Sequence, residues 1–104
     1  MQNMYDSMLY AMSLASDTHF ELLKSTTRLR SIVIPRQIVW HYLYSQGYTL
    51  QQVGAMCDKH HTTILHGLKC VKYDLAHDRI DTCVIYSKFL RILAEQARSR
   101  NSYE

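Results

Sequence analysis

Apolar residues recur along this chain at spacings of three and four, which is the period of an amphipathic α-helix. Met4, Met8 and Met12 form one such stripe in a first helix predicted over residues 1–14, and we expect this stripe to face the core. Later segments keep the same period with Ile, Leu, Val and Tyr. The further predicted helices are a short one from Thr18, then residues 35–46, 49–57 and 61–74, and a last one from Asp78 or Asp81.

Local signals mark where several of these helices begin. Thr18–Glu21 and Thr49–Gln52 have the form of a capping box, in which a Thr hydroxyl and a Glu or Gln side chain each bind a free backbone amide. Pro35 is tolerated at the first turn of a helix, because the amide it lacks has no partner there. The side chain of His61 or Thr62 is expected to cap the fifth helix.

The composition favours one folded, all-α domain. Hydrophobic residues make up 47% and charged residues 20% of the 104, which is too apolar for a disordered tail and too mixed for a membrane protein. Three Gly and one Pro are too few to turn the chain between the strands of a sandwich or barrel. We therefore expect a single domain over residues 1–104, a compact bundle of about six helices whose residues 98–104 fray.

The cysteines and the amino terminus bear on where the protein is found. Cys57, Cys70 and Cys83 are an odd number at wide spacing, which argues against a secreted disulfide framework. No stretch of the sequence resembles a signal peptide or reaches the roughly 18 apolar residues of a membrane span. We expect reduced thiols, a cytoplasmic location and no membrane partner.

Positive charge is concentrated in the middle of the chain. Residues 24–72 carry seven basic residues and one acid, a balance of +6, whereas the remainder has five basic and eight acidic residues, a balance of −3. A basic segment of this kind suits a polyanion, and the phosphate backbone of a nucleic acid is the commonest one. Solvated lysines on an ordinary surface would give the same count.

The short helix, turn and longer helix predicted over residues 49–74 have the outline of a helix-turn-helix, whose second helix enters the major groove of DNA. The start of that second helix reads Lys59-His60-His61-Thr62-Thr63. Thr offers a methyl group to thymine and a hydroxyl to a base or phosphate, and His is able to donate to guanine. These side chains are poor core material, so they indicate base reading.

Three segments together resemble the carboxy-terminal DNA-binding domain of the bacterial replication initiator DnaA. They are Pro35-Arg36-Gln37-Ile38, Leu50-Gln51-Gln52-Val53-Gly54 and residues 60–66, His-His-Thr-Thr-Ile-Leu-His. The resemblance spans Ser13 to Ala97 and leaves residues 1–12 as an extra amino-terminal helix. It implies the helix-turn-helix fold of DnaA domain IV, which is similar to the Trp repressor, and sequence-specific binding of double-stranded DNA.

The resemblance also implies a role for individual residues. The residues expected to read bases or to enter the minor groove are Arg28, Arg30, His60, His61, Thr62 and Thr63. Those expected to contact phosphates are Arg36, Gln37, Lys59 and Lys69, with the backbone amides of Leu50 and Gln51. No cofactor, nucleotide or metal is implied. A homodimer or a contact with a replication protein stays open.

Departures from the family pattern qualify this picture. The family usually has Asp at the position of His60, so an acceptor is replaced by a group that can donate, and the preferred site is expected to differ at that base pair. The turn reads Cys57-Asp58-Lys59, without the usual Gly-Gly, and is about one residue shorter. The phosphate-binding loop of the initiator's ATPase is absent. We therefore expect a free-standing domain, from a bacterium, phage or mobile element, that acts in replication initiation, its regulation or transcription.

Other functions stay open at this point. Zinc could be bound by side chains with suitable chemistry, namely those of Cys57, His61, His66 and Cys70. Their spacing is not a recognised zinc pattern, and His61 and His66, five residues apart on a helix, point about 140° apart. An enzyme is not expected, because the His-rich segment has only Asp58 as a nearby acid. A protein-interaction or oligomerisation module, using the Met stripe or the last helix, is the remaining alternative.

Overall fold

Six α-helices and no strand make up residues 4–101, the part of the chain that the computed structural model describes. The helices are α1 (Met4–Ser16), α2 (Phe20–Lys24), α3 (Arg30–Ser45), α4 (Leu50–Cys57), α5 (His61–Ala76) and α6 (Ile80–Asn101). The predicted all-α class is confirmed. Residues 1–3 of the predicted first helix and 102–104 of the predicted frayed tail lie outside the described range. None of the helices within it is long and apolar enough to cross a membrane.

Helix α3 lies at the centre and packs against all five other helices. Its Ile38 and Val39 are fully buried, and Leu43 nearly so, which agrees with the helical period of the apolar residues in this segment. Burial of each such side chain contributes about 1.5–3 kcal/mol. The position of α5 is therefore set by packing onto this helix, and α4 packs mainly on α5.

Helix α3 begins earlier than the sequence predicts. It starts at Arg30 rather than at Pro35, because the extra turn buries Ile32 and Ile34 against the rest of the core. Pro35 consequently lies inside the helix, where its missing amide removes one intrahelical hydrogen bond. The other end agrees with the prediction, since the helix stops at a turn in which Gly47 has φ 105°.

The two predicted capping boxes have different outcomes. At Thr49 the box is complete: its amide donates to Gln52 Oε1 at 2.8 Å, and its Oγ1 accepts from the Gln52 amide at 3.1 Å. Helix α2, by contrast, begins at Phe20 with His19 as its N-cap and no side-chain cap, so Thr18 forms no box. Its hydroxyl donates instead to the Ser16 carbonyl at 3.2 Å.

The buried faces of the terminal helices differ in part from the prediction. The core residues of α1 include Tyr5, Leu9 and Met12, while Met4 is 39% exposed, so only part of the Met stripe faces inward. Helix α6 packs along α1 and continues to Asn101, past the point where fraying is predicted. Its Phe89 is fully buried.

Trp40 joins three helices. Its indole Nε1 donates to the Tyr5 hydroxyl at 3.1 Å, and burial raises the pKa of that hydroxyl well above its usual range. On the other side the ring packs on Gly67 of α5, where an added Cβ would lie 2.6 Å from Trp40 Cε3. Only glycine permits this close approach of α5 to α3.

Candidate nucleic-acid interface

Helices α4 and α5 meet in a very tight turn. Asp58 adopts a left-handed conformation with φ 57°, and the Lys59 amide donates to the Gly54 carbonyl at 2.8 Å. A Cβ at Gly54 would lie 2.5 Å from the Lys59 carbonyl oxygen, which is closer than real contacts allow. Gly54 therefore fixes how α5 leaves α4, and with it the direction in which the tip of α5 points.

The side chains at the tip of α5 lie on the surface, as the sequence predicts. Lys59, His60, Thr62 and Thr63 are exposed, and His61 is half-buried. The His60 and His61 rings are in contact, with 4.3 Å between their centroids and an angle of 33° between their planes. We refer to residues 59–63 as the tip; it presents hydrogen-bonding groups to solvent.

The cap of α5 is His60, not His61 or Thr62 as predicted. Its Nδ1 accepts a hydrogen bond from the Thr62 amide at 3.2 Å and lies 2.7 Å from Thr62 Oγ1. An N-cap oxygen usually satisfies one of the free amides of the first turn. Here an imidazole nitrogen does so, which ties the His60 ring to the helix.

A basic cleft of about 570 Å³ lies between the start of α3 and the outer face of α5. Four predicted contact residues line it, namely Arg28, Arg30, Gln37 and Lys69. The lining residues that the sequence does not predict as DNA contacts include His66 and Arg79. Arg79 lies between α5 and α6, beyond the basic segment defined from the charge count, and only the fold brings it to the cleft.

The tip and the cleft are connected through one face of α5. Thr62, His66, Lys69 and Tyr73 follow at intervals of four, three and four, which places them on the same side of a helix, and all four are exposed. The side chains predicted to read bases therefore continue without interruption into those predicted to bind phosphate.

One acid moderates the positive charge of the cleft. Asp74 lies 3.9 Å from Arg30 Nη2 and accepts a hydrogen bond from the hydroxyl of Thr82 at 2.8 Å. Thr82 is fully buried in α6, whereas Arg30 is exposed. Asp74 is thereby fixed to α6, and it makes only a long ion pair with the solvent-exposed Arg30.

Arg36 is nearly buried and its guanidinium binds backbone carbonyls, so its side chain is not placed for the phosphate contact that the sequence predicts. It is 8% exposed, and burial lowers the pKa of its guanidinium, which nevertheless remains charged. The guanidinium donates to four carbonyl oxygens of the preceding segment, those of Leu22, Leu23, Ser25 and Thr27. The sequence pattern does not reveal this role, because the carbonyls converge only in the folded chain.

The start of α4 offers the backbone donors that the sequence predicts. The amides of the first helical turn have no partner within the helix, and the capping box satisfies that of Gln52. Those of Leu50 and Gln51 are the other two donors of this turn; the Gln51 side chain is exposed and that of Leu50 half-buried. Such an end attracts an anion.

The residues considered as zinc ligands do not assemble into a site. Among the described residues there is no group of three or more His, Cys, Asp or Glu side chains placed to hold a metal ion. His66 and Cys70 do pair, with Nε2 and Sγ 3.5 Å apart, one turn apart on α5.

Comparison with known families gives a match to a DNA-binding family. The family model of the bacterial DnaA protein helix-turn-helix matches residues 11–71, more than half of the chain. The matched region runs from α1 to Val71 in α5. It therefore contains most of the residues that line the cleft, together with the tight turn and the tip. No curated protein matches this chain.

Proposed function

This chain belongs to the family of the bacterial DnaA helix-turn-helix, and from that membership we propose that it binds double-stranded DNA at a specific sequence. The tip of α5 enters the major groove, and the basic cleft contacts the backbone and the adjacent minor groove. The observation that carries the proposal is the continuous exposed face of α5, along which the hydrogen-bonding tip leads into the cleft.

The residues divide by the part of DNA they contact. His60, His61, Thr62 and Thr63 read base edges, because hydroxyl and imidazole groups match the donors and acceptors of the major groove. Phosphate contacts come from Gln37, Lys59, Lys69 and the amides of Leu50 and Gln51. Arg28, with Arg30 beside it, enters a narrow minor groove, whose negative potential favours a guanidinium.

We assign this binding to the bacterial cytoplasm or nucleoid, at sites similar to those of the initiator, in the control of replication or transcription. Binding uses protein–DNA contacts alone and needs no nucleotide. Selection from a random duplex pool without nucleotide tests directly whether the protein binds a specific sequence unaided. A palindromic selected motif would indicate that two copies bind together.

Two substitutions test the assignment by residue. Arg28→Ala and Thr62→Ala are each expected to weaken binding to the selected sequence by about 1–3 kcal/mol. Ser87→Ala removes an exposed hydroxyl from α6 and serves as the control, with unchanged affinity expected. Equal losses on selected and random DNA for Thr62→Ala would contradict base reading.

A further inference from the structure

We propose that His60 presents its Nε2–H to DNA as a fixed hydrogen-bond donor and thereby selects a base pair with an acceptor at that position. This inference rests on the proposed DNA binding. The new points are which ring nitrogen of His60 carries the proton and, from that, which bases the tip accepts.

The cap of α5 decides the tautomer. A neutral imidazole has one N–H and one nitrogen with a lone pair. The Thr62 amide only donates, and it points at His60 Nδ1 from 3.2 Å, so this nitrogen holds the lone pair. The proton then lies on Nε2, the nitrogen that takes no part in the cap.

The same nitrogen also determines what Thr62 offers. Its Oγ1 lies 2.7 Å from His60 Nδ1, and because the amide identifies this nitrogen as an acceptor, the hydroxyl proton shares the same lone pair. The single donor of Thr62 is thus used within the protein. What remains for DNA is the methyl group and the oxygen lone pairs, so His60 and Thr62 act as one unit with one donor and one acceptor.

The orientation of the His60 ring is held from two sides. The cap ties its Nδ1 edge to the first turn of α5, and the His61 ring is in contact with it, with 4.3 Å between the centroids. His60 is exposed despite these contacts. A donor fixed before binding discriminates between bases better than one that must first choose a tautomer, because the wrong base then faces an unmatched group.

The bases follow from the pattern of the major groove. Guanine presents acceptors at N7 and O6 and thymine at O4, whereas cytosine N4 and adenine N6 carry protons. A donor at position 60 therefore favours guanine or thymine at the contacted position and disfavours a cytosine amino group.

A matched pair of variants tests the inference. The variants are His60→Asn and His60→Asp. The Asn and Asp side chains have nearly the same shape, and because both residues are preferred N-caps, α5 is retained. When Oδ1 accepts the Thr62 amide, Asn turns an NH₂ donor outward, while Asp turns out only an acceptor. Motifs are selected from a random duplex pool for the wild type and for both variants.

We expect the wild type and His60→Asn to select the same acceptor-bearing base, and His60→Asp to prefer cytosine or adenine at that one position. The preference between the two bases should change by about 5- to 150-fold, with other positions unaltered. In the wild type without DNA, ¹⁵N-resolved spectra of the neutral ring should show a proton on Nε2 and none on Nδ1.

Three results would overturn the inference: a proton on Nδ1, wild-type selection of an amino group at the contacted base, or the same motif for His60→Asn and His60→Asp. A wild type that enriches no sequence would remove the proposed function itself. A clear wild-type motif that His60→Asp leaves unchanged would remove only the role of His60.

Discussion

Replacing Arg36 by Lys should weaken both the fold and DNA binding without removing a phosphate contact. The guanidinium donates to the carbonyls of Leu22, Leu23, Ser25 and Thr27 over 2.7–3.1 Å. Lys keeps the charge, but its compact ammonium lacks the planar fork of donors and reaches only one or two of these oxygens. The carbonyls that lose their partner then depend on water.

The hydrogen bonds set the size of the effect. Each bond to a charged donor is worth about 1.5–3 kcal/mol, and rehydration of freed carbonyls near the surface recovers part of it. We expect Arg36→Lys to lower the free energy of unfolding by about 2–4 kcal/mol. The segment before Arg28 also becomes less ordered in the variant. Fixing the backbone of one residue costs about 1–2 kcal/mol. Because DNA binding must then order one or two additional residues, the affinity should fall about 10- to 100-fold.

Two measurements separate this role from a phosphate contact. Urea unfolding gives the stability change, and fluorescence anisotropy with labelled duplex at several salt concentrations gives the affinity and its salt slope. A lost phosphate contact reduces the log–log slope by about 0.9, whereas a residue that only positions Arg28 leaves it unchanged. Affinity is measured at a temperature where urea unfolding shows the variant to be folded.

A reduced slope with unaltered stability would refute this reasoning and restore Arg36 as a phosphate ligand. Lys69→Ala provides the matched control, because Lys69 is exposed in the cleft and its loss should change the slope but not the fold.

Three further predictions concern other parts of the molecule. Lys69→Ala should weaken binding to selected and random DNA equally, since a phosphate contact carries no sequence information; a loss confined to the selected sequence would contradict it. Gly54→Ala should lower the free energy of unfolding by about 1–3 kcal/mol and weaken DNA binding, because the new Cβ forces the backbone at Lys59 to move; unchanged urea unfolding would argue against this contact. Burial lowers the pKa of His41 below its ordinary 6.5. The unfolded chain therefore binds this proton more readily, and the free energy of unfolding falls as the pH drops below about 6.5. His41→Gln should therefore show a smaller loss of Tm between about pH 7.5 and pH 5.5 than the wild type or a control with Gln at the exposed His19.

Several features fixed by residues close in sequence follow from the sequence, although the Thr18 box and the cap of α5 do not. The Thr49 capping box needs only two side chains three residues apart, and it forms as expected. The inward face of α3 around Ile38 and the exposure of the tip also follow from local periodicity and polarity. Chemistry of this range is readable because its partners lie within one helical turn.

Features that depend on distant partners were not predicted. Pro35 suggested a helix start, but burial of Ile32 and Ile34 against other helices adds a turn before it. Arg36 resembled a surface cation because nothing in its own segment reveals the carbonyls that enclose it. Arg79 joins the cleft only because of the turn between α5 and α6.

The position of Trp40 makes the protein its own optical reporter. It is the single tryptophan of the sequence, is 5% exposed, and sits where α1, α3 and α5 meet. Indole emission depends on the polarity around the ring, so separation of these helices should appear as a red shift without any attached label. On DNA binding the emission should stay constant if α5 keeps its packing against α3. It should change if the duplex moves α5 away from α3.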